Sequence, residues 1–261
     1  MIETITILGG HGRTGEPEGV APIELRMGDV VSVVGPTGSG KTTLINDLEL
    51  FADRNTPSGR RVLIDGAPAP SHFRDDPARN PIALITQHTT FLSDLPVRRF
   101  VEMHLRIRGT EPQRAQGVLA RTMDFANQLT GEPIDPDNRM TELSGGQTRA
   151  LLIADATLVC DTPIVLLDEV ENAGIHRTRA LELLREHRKI FIFVTHDPRI
   201  ALLSDYRVVM SRGAITGVVH TSEAERRCAA VVTRLDDALA QLREKIRRGE
   251  SVLGSELEAW A

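Results

Sequence analysis

Four short apolar runs punctuate this chain: Val30 to Val34, Ile82 to Thr86, Ile164 to Glu169 and Ile190 to Asp197. None alternates with polar residues, so each predicts a strand covered on both faces, as in a parallel sheet. Glu3 to Leu8 and Ile23 to Arg26 predict earlier strands separated by a Gly/Pro/Glu loop, Gly9 to Pro22, and Arg61 to Gly66 predicts a strand and turn. Ala67 to Pro81, rich in Pro and Asp, predicts a surface connection without chemistry of its own. Helical spacing follows from Thr43 onward and again over Phe91 to Gly109, where Ser93 and Asp94 supply a capping signal. From Thr221 to Gly249 the apolar residues Cys228, Val231, Val232, Leu235, Leu239, Leu242 and Ile246 share one helical stripe. That stripe predicts either a helix packed on its own core or a helix that pairs with a partner. Together the pattern predicts an α/β fold, a mixed core around a parallel sheet, with a helical lobe and a helical tail.

Composition narrows the class. With 261 residues, 41% of them apolar, the chain can bury a full core as one large domain or as a domain plus a lobe. A net charge of −5 without a block of like charges gives no nucleic-acid surface. Cys160 and Cys228 show neither metal nor redox spacing, and Cys160 is expected as a buried thiol in a reducing cytosol. Met1 to Gly10 lacks the pattern of a signal peptide, and no run approaches the length of a membrane span, so a membrane role requires a partner that crosses.

The chemistry is concentrated in three motifs. GPTGSGKT, Gly35 to Thr42, lies between the Val30 run and the helix from Thr43, the strand–loop–helix setting of a phosphate loop. Its glycines turn successive amides inward as an anion nest, and the helix dipole points at the phosphates. Lys41 would place a cation between the β- and γ-phosphates, and the Thr42 hydroxyl would ligate Mg²⁺. IVLLDE, Ile164 to Glu169, ends in carboxylates where α/β sheets bind ligands. Asp168 would then hold Mg²⁺ through water, with Glu169 as the general base. LSGGQ, Leu143 to Gln147, reads as a helix N-cap with an exposed nest and has no evident task within its own chain.

Phosphate loop, LSGGQ and the Asp-Glu strand, in that order and spacing, resemble the nucleotide-binding subunits of ATP-binding cassette (ABC) proteins, over residues 1 to about 215. The resemblance implies a P-loop NTPase core with an antiparallel N-terminal β subdomain and a helical signature lobe. The ATPase domain would span 1–220, the helical subdomain about 92–145 within it, and a helical tail 221–261. It implies ATP on Gly35, Pro36, Thr37, Gly38, Ser39, Gly40, Lys41, Thr42 and Thr43. It also implies a head-to-tail homodimer in which Ser144, Gly145, Gly146 and Gln147 seal the other copy's γ-phosphate. Gln87 would reach Mg²⁺ and the attacking water, and His196 would hold that water against the γ-phosphate. The family's adenine-stacking aromatic is missing; His11 stands at its place, either as a weaker stacking ring or as a surface-loop histidine. After Glu169 the family's Pro-Thr-Ser-Ala-Leu-Asp run is replaced by Val170-Glu171-Asn172-Ala173-Gly174-Ile175, which alters the contact between paired sites.

Two partner classes are implied. One is a membrane permease docked on the helical lobe, which makes the chain cytoplasmic and peripheral to the inner membrane face. The other is a soluble client in protein remodelling or metallocentre assembly. DNA-repair relatives carry coiled-coil insertions or zinc cysteines that this sequence lacks.

Overall fold

A computed structural model describes residues 2–76, 79–86, 88–169 and 177–252. Its strands are β1 (Thr4–Leu8), β2 (Ile23–Arg26), β3 (Val30–Val34), β4 (Arg61–Ile64), β5 (Ala67–Pro68), β6 (Ile82–Thr86), β7 (Ile164–Asp168), β8 (Ile190–Val194), β9 (Tyr206–Ser211) and β10 (Ala214–His220). Its helices are α1 (Lys41–Glu49), α2 (His72–Asp75), α3 (Val97–Ile107), α4 (Pro112–Leu129), α5 (Gly145–Ala154), α6 (Arg177–Arg185), α7 (Pro198–Leu203) and α8 (Glu223–Arg247). A π-helical turn, Asp155–Val159, continues α5.

The larger sheet runs β10-β9-β3-β8-β7-β6, parallel throughout except for the β9–β10 hairpin. A second, antiparallel sheet runs β2-β1-β4-β5. The unbroken apolar runs are explained by two cores, because alternate side chains of a strand leave on opposite faces. From β7, Ile164 and Leu166 join α1 (Leu44, Ile45, Leu48) and the antiparallel sheet. Val165 and Leu167 join α3, α4, α5 and α6 on the other face. Both faces are dry, so neither side of the strand can be polar.

Three expectations change. Helix α3 buries Val97, Val101 and Leu105 on one stripe, but it begins after Pro96 rather than at the Ser93/Asp94 signal. Asp94 is engaged elsewhere: Thr141 Oγ1 donates to it at 2.7 Å and Arg139 pairs with it. The Ser93 hydroxyl accepts from Leu95 N at 3.3 Å, closing a local turn. Cys160 is partly exposed, with its sulfur 3.4 Å from Asp155 Oδ2. On the α8 stripe Val231, Leu235, Leu239 and Ile246 are exposed and Val232 and Leu242 half-buried, which sets aside the alternative of a face packed on the chain's own core. The helix is instead held on α7 and the sheet by buried Ala229 and by the pairs Arg199–Asp236 (2.8 Å) and Arg207–Glu225 (2.6 Å).

The Gly9 to Pro22 loop is fixed from below by a buried ionic network. Arg60, fully shielded from solvent, donates to Glu18 Oε1 at 2.5 Å, to Asp47 Oδ2 at 2.9 Å and to the Gly213 carbonyl at 2.8 Å. Glu18 also accepts from the amides of Gly10 (2.9 Å) and Ile215 (2.6 Å). Burial alone would raise the Glu18 carboxyl; Arg60 and those two amides outweigh it and hold it below its ordinary range. The network joins the loop to α1, β4 and the β9–β10 turn. Among the described residues, no helix is long and apolar enough to cross a membrane.

Candidate functional site

The chain's phosphate-loop sequence sits where β3 ends and α1 begins, and its shape is set by glycine. Gly40, with φ at 101°, packs so closely that a Cβ there would lie 2.9 Å from Gly213 Cα. At Gly35 a Cβ would fall 2.3 Å from the Met210 carbonyl oxygen, inside contact distance of the neighbouring strand. Only glycine lets the loop lie this close to β9 and its turn. Lys41 is buried, with Nζ donating to the carbonyls of Gly35 (2.9 Å) and Pro36 (3.3 Å).

The carboxyl ends of β6, β7 and β8 lie in register, Thr86 beside Asp168 and Asp168 beside Val194. Glu169 and His196, just beyond β7 and β8, therefore meet beside the loop. Glu169 takes a left-handed turn (φ 50°), its amide donating to the Val194 carbonyl at 3.0 Å. That conformation is costly for a non-glycine residue and recurs at functional sites. Its Oε1 lies 3.5 Å from His196 Nε2, and His196 Nε2 lies 3.3 Å from Lys41 Nζ. Base candidate, histidine and loop lysine thus form one chain of contacts.

A cavity of about 300 Å³ opens above them, lined by Gly38, Gly40, Lys41, Thr42, Thr43, Asp168, Glu169 and His196, with Thr37 and Arg13 at its rim. Thr42 and Asp168 supply a hydroxyl and a carboxylate, the hard oxygen donors that suit Mg²⁺. The nest and Lys41 suit phosphate. Gly35 and Pro36 act through their carbonyls on Lys41, and the Ser39 side chain is buried beneath the loop. Gln87 and the Val170 to Ile175 segment lie outside the described residues.

A second cavity of about 310 Å³ adjoins the first, sharing Arg13, Gly40 and Thr43 and continuing to His11, Pro57, Ser58 and Gly213. His11 is exposed there, its amide bonded to the Ser58 carbonyl at 2.8 Å. His11, expected from the resemblance to contact adenine, therefore borders the cavity that adjoins the loop. Arg13 carries no signal in the sequence: its Nη2 donates to the Gly38 carbonyl at 2.5 Å, and it bridges the two cavities. Only the loop's path reveals that position, because nothing in the run HGRTGE distinguishes one polar residue from the next. A wider depression of about 910 Å³ between α3 and α4, lined by Arg108, Arg114 and Arg121, contains none of the motif residues.

LSGGQ forms the start of α5 in the manner its composition predicts. Ser144 is the N-cap, its Oγ accepting from Gln147 N at 3.3 Å, while Gln147 Oε1 accepts from Ser144 N at 2.9 Å. The Gln147 amide also donates to the Pro133 carbonyl at 3.1 Å, which anchors the turn to the end of α4's connection. Ser144, Gly145, Gly146 and Gln147 do not line the phosphate cavity of their own chain.

Comparison with known proteins agrees with this arrangement. The family model described as ABC transporter matches residues 21–172, more than half of the chain. An uncharacterized ABC transporter ATP-binding protein of Methanocaldococcus jannaschii is 44% identical over 249 residues, covering 95% of this chain and 94% of that protein. The lipoprotein-releasing system ATP-binding protein of Chromohalobacter salexigens is 32% identical, covering 74% of this chain and 82% of its own. Among solved structures, cbiO1 of Clostridium perfringens, part of an ABC transporter complex, superposes with a TM-score of 0.64 at 21% identity, over 95% of this chain and all of that one. A dimeric ATP-binding cassette in a post-hydrolysis state superposes with a TM-score of 0.62 at 22% identity, over 84% and 99% of the two chains. At those identities the superpositions speak for fold. Sequence relatives and fold lead to one assignment: the chain belongs to the ABC transporter family, among its ATP-binding subunits.

Proposed function

We propose that this chain binds Mg–ATP in the cavity above Lys41 and hydrolyses it when two copies close head to tail. One observation carries the reading: Lys41, His196 and Glu169 lie in consecutive contact (3.3 and 3.5 Å) above a cavity that also presents Thr42 and Asp168. Gly35 to Thr43 would cradle the phosphates, with Lys41 exchanging its carbonyl partners for β- and γ-oxygens. Thr42, Asp168 and Gln87 would hold Mg²⁺, which neutralises charge developing on the phosphoryl oxygens when bound. Glu169 would take the proton of the attacking water as its oxygen bonds to the γ-phosphorus and the bond to ADP breaks. His196 would orient that water. His11 would face adenine at the far end of the adjoining cavity.

The signature turn, which does not line its own phosphate cavity, is supplied to a second copy in this reading. Ser144 and the amides of Gly145 and Gly146 would bond the γ-phosphate held by the partner, so that ATP acts as the glue of the dimer. Closure and release would move the helical subdomain of about 92–145 relative to the 1–220 ATPase core, with 221–261 as a tail. The permease reading rests on the transport systems to which its relatives belong, and it places the chain in the cytoplasm against the membrane. The altered Val170 to Ile175 segment favours the soluble-client alternative. Co-purification separates them, because a multi-span protein retained in detergent supports the first and its absence beside a soluble client supports the second.

The central test is Glu169→Gln. With ATP it should elute as a stable dimer on gel filtration while turnover disappears; a variant that stays monomeric at saturating ATP would remove Glu169 from the base position.

A further inference from the structure

One cluster of metal-ligating side chains lies away from the phosphate cavity. His104, in the last turn of α3, meets Asp155 and Cys160 at the end of α5. The His104 Nδ1 to Asp155 Oδ1 distance is 2.8 Å, Cys160 Sγ to Asp155 Oδ2 is 3.4 Å, and Cys160 Sγ to His104 Nε2 is 3.8 Å. One ligand atom from each residue can be chosen so that all lie within 4.8 Å of one another.

The π-helical turn is what brings two of them together. In a regular α-helix, residues five apart diverge by roughly 140° around the axis. Here Cys160 N donates to the Asp155 carbonyl at 2.8 Å, the i to i+5 bond of a π turn, which stacks residue 160 over residue 155. Such turns are rare and occur often at functional sites. Across from this stacked pair, α3 presents an imidazole rather than an apolar residue. The ring is backed by Phe100 at 5.9 Å, which itself packs on Phe91 at 5.0 Å. Asp155 is nearly enclosed, and the His104 and Cys160 side chains are partly open to solvent, which leaves an entry path.

We propose that His104, Asp155 and Cys160 bind a borderline-soft divalent transition metal ion, Zn²⁺ being the best match, independently of the ATP site. Imidazole, carboxylate and thiolate together are a zinc-type donor set, unlike the oxygen donors preferred by Mg²⁺. Around a tetrahedral zinc with ordinary bond lengths, ligand atoms stand roughly 3.3–3.6 Å apart. With His104 Nε2, Cys160 Sγ and Asp155 Oδ2 as the ligand atoms, the sulfur–oxygen distance of 3.4 Å already lies in that range. The sulfur–nitrogen distance of 3.8 Å must close by a few tenths of an ångström, while Nδ1 keeps its contact with Asp155 Oδ1 and orients the ring. The ion replaces the Nε2 proton of His104, which Asp155 and Cys160 hold on the ring, and the proton of the Cys160 thiol, both released to solvent, while the Nδ1 proton stays in its hydrogen bond to Asp155. Three protein ligands leave a fourth position for water. Bound there, the ion ties α3 to the helix that begins at Ser144.

The test uses untagged, fully reduced, chelator-treated full-length protein titrated with Co²⁺ alone, without nucleotide. Thiolate-to-cobalt charge-transfer absorption should saturate at one equivalent per chain, vanish on addition of Zn²⁺, and raise the melting temperature as it forms. Cys228→Ser should keep the band. Cys160→Ser should lose it, and His104→Gln and Asp155→Asn should each weaken Co²⁺ binding by at least about tenfold. Absence of the band in folded wild-type protein overturns the proposal and leaves the trio as a hydrogen-bonded brace. Persistence of the band in Cys160→Ser, or undiminished affinity in either of the other variants, also overturns it. Should His104→Gln fail to fold by circular dichroism, Cys160→Ser, altered at a partly exposed position, decides alone.

Discussion

Replacing Arg60 by Met tests whether the Gly9 to Pro22 loop beside the cavity is held by charge. The substitution keeps the volume but removes the cation between two carboxylates, Glu18 at 2.5 Å and Asp47 at 2.9 Å, whose side chains are almost fully shielded from water. Removing one partner of a buried ion pair costs about 3–5 kcal/mol, and here two charges lose their partner at once. Domains of this kind hold roughly 5–15 kcal/mol in total, so the variant should lose a third of its stability or more at neutral pH. Asp53→Asn is the control, because the Arg61–Asp53 pair is half exposed and such pairs contribute about 0.2–1 kcal/mol. Equilibrium unfolding in urea measures both. The pH dependence has a definite sign. Glu18 is held below its unfolded value of 4.5 in the wild type, so its contribution is present above that value and is lost as pH falls through the lowered one. The stability gap between wild type and Arg60→Met should therefore narrow on acidification. A loss no larger than that of Asp53→Asn, or a gap that widens in acid, would refute the electrostatic account of this loop.

Three further outcomes concern the site itself. Gly35→Ala forces a Cβ to 2.3 Å from the Met210 carbonyl and 2.7 Å from Ser39 Oγ, so it should destabilise the loop and abolish ATP binding, as read by melting temperature and nucleotide titration. Ser144→Ala removes the cap of α5 and should cost about 1 kcal/mol of stability, with a far larger loss of turnover if the same hydroxyl serves a partner's phosphate; equal and small effects on both would confine Ser144 to capping. His11→Ala should weaken ATP binding several-fold while leaving stability nearly unchanged, since the ring is exposed; unaltered affinity removes it from the adenine side.

Much of this molecule is legible before folding is considered, and the legible parts share a property. The phosphate loop, the β7 and β8 runs and the Ser144 cap are encoded by adjacent residues, because backbone conformation and two-sided burial are local demands. The signals that mislead are local propensities overruled from a distance. Asp94 has the composition of a helix cap, yet Arg139 and Thr141 take up its carboxylate, and α3 starts later. The α8 stripe reads equally as a packed face or a partner face, and only the tertiary ion pairs to Asp236 and Glu225 hold the helix so that most of it stays exposed.

The sequence by itself determined that a nucleotide loop, a carboxylate-ended strand and a capped glycine turn exist, and which family they belong to. Tertiary structure alone decided that Arg13 bridges two cavities, that Arg60 is enclosed by carboxylates from a loop and a helix, and that a π turn sets Cys160 beside Asp155 and His104. The reason is physical: hydrogen-bonding turns and hydrophobic runs act over a few residues, whereas the pairing of charges and ligands far apart in the chain depends on strand order and helix packing, which no local pattern carries.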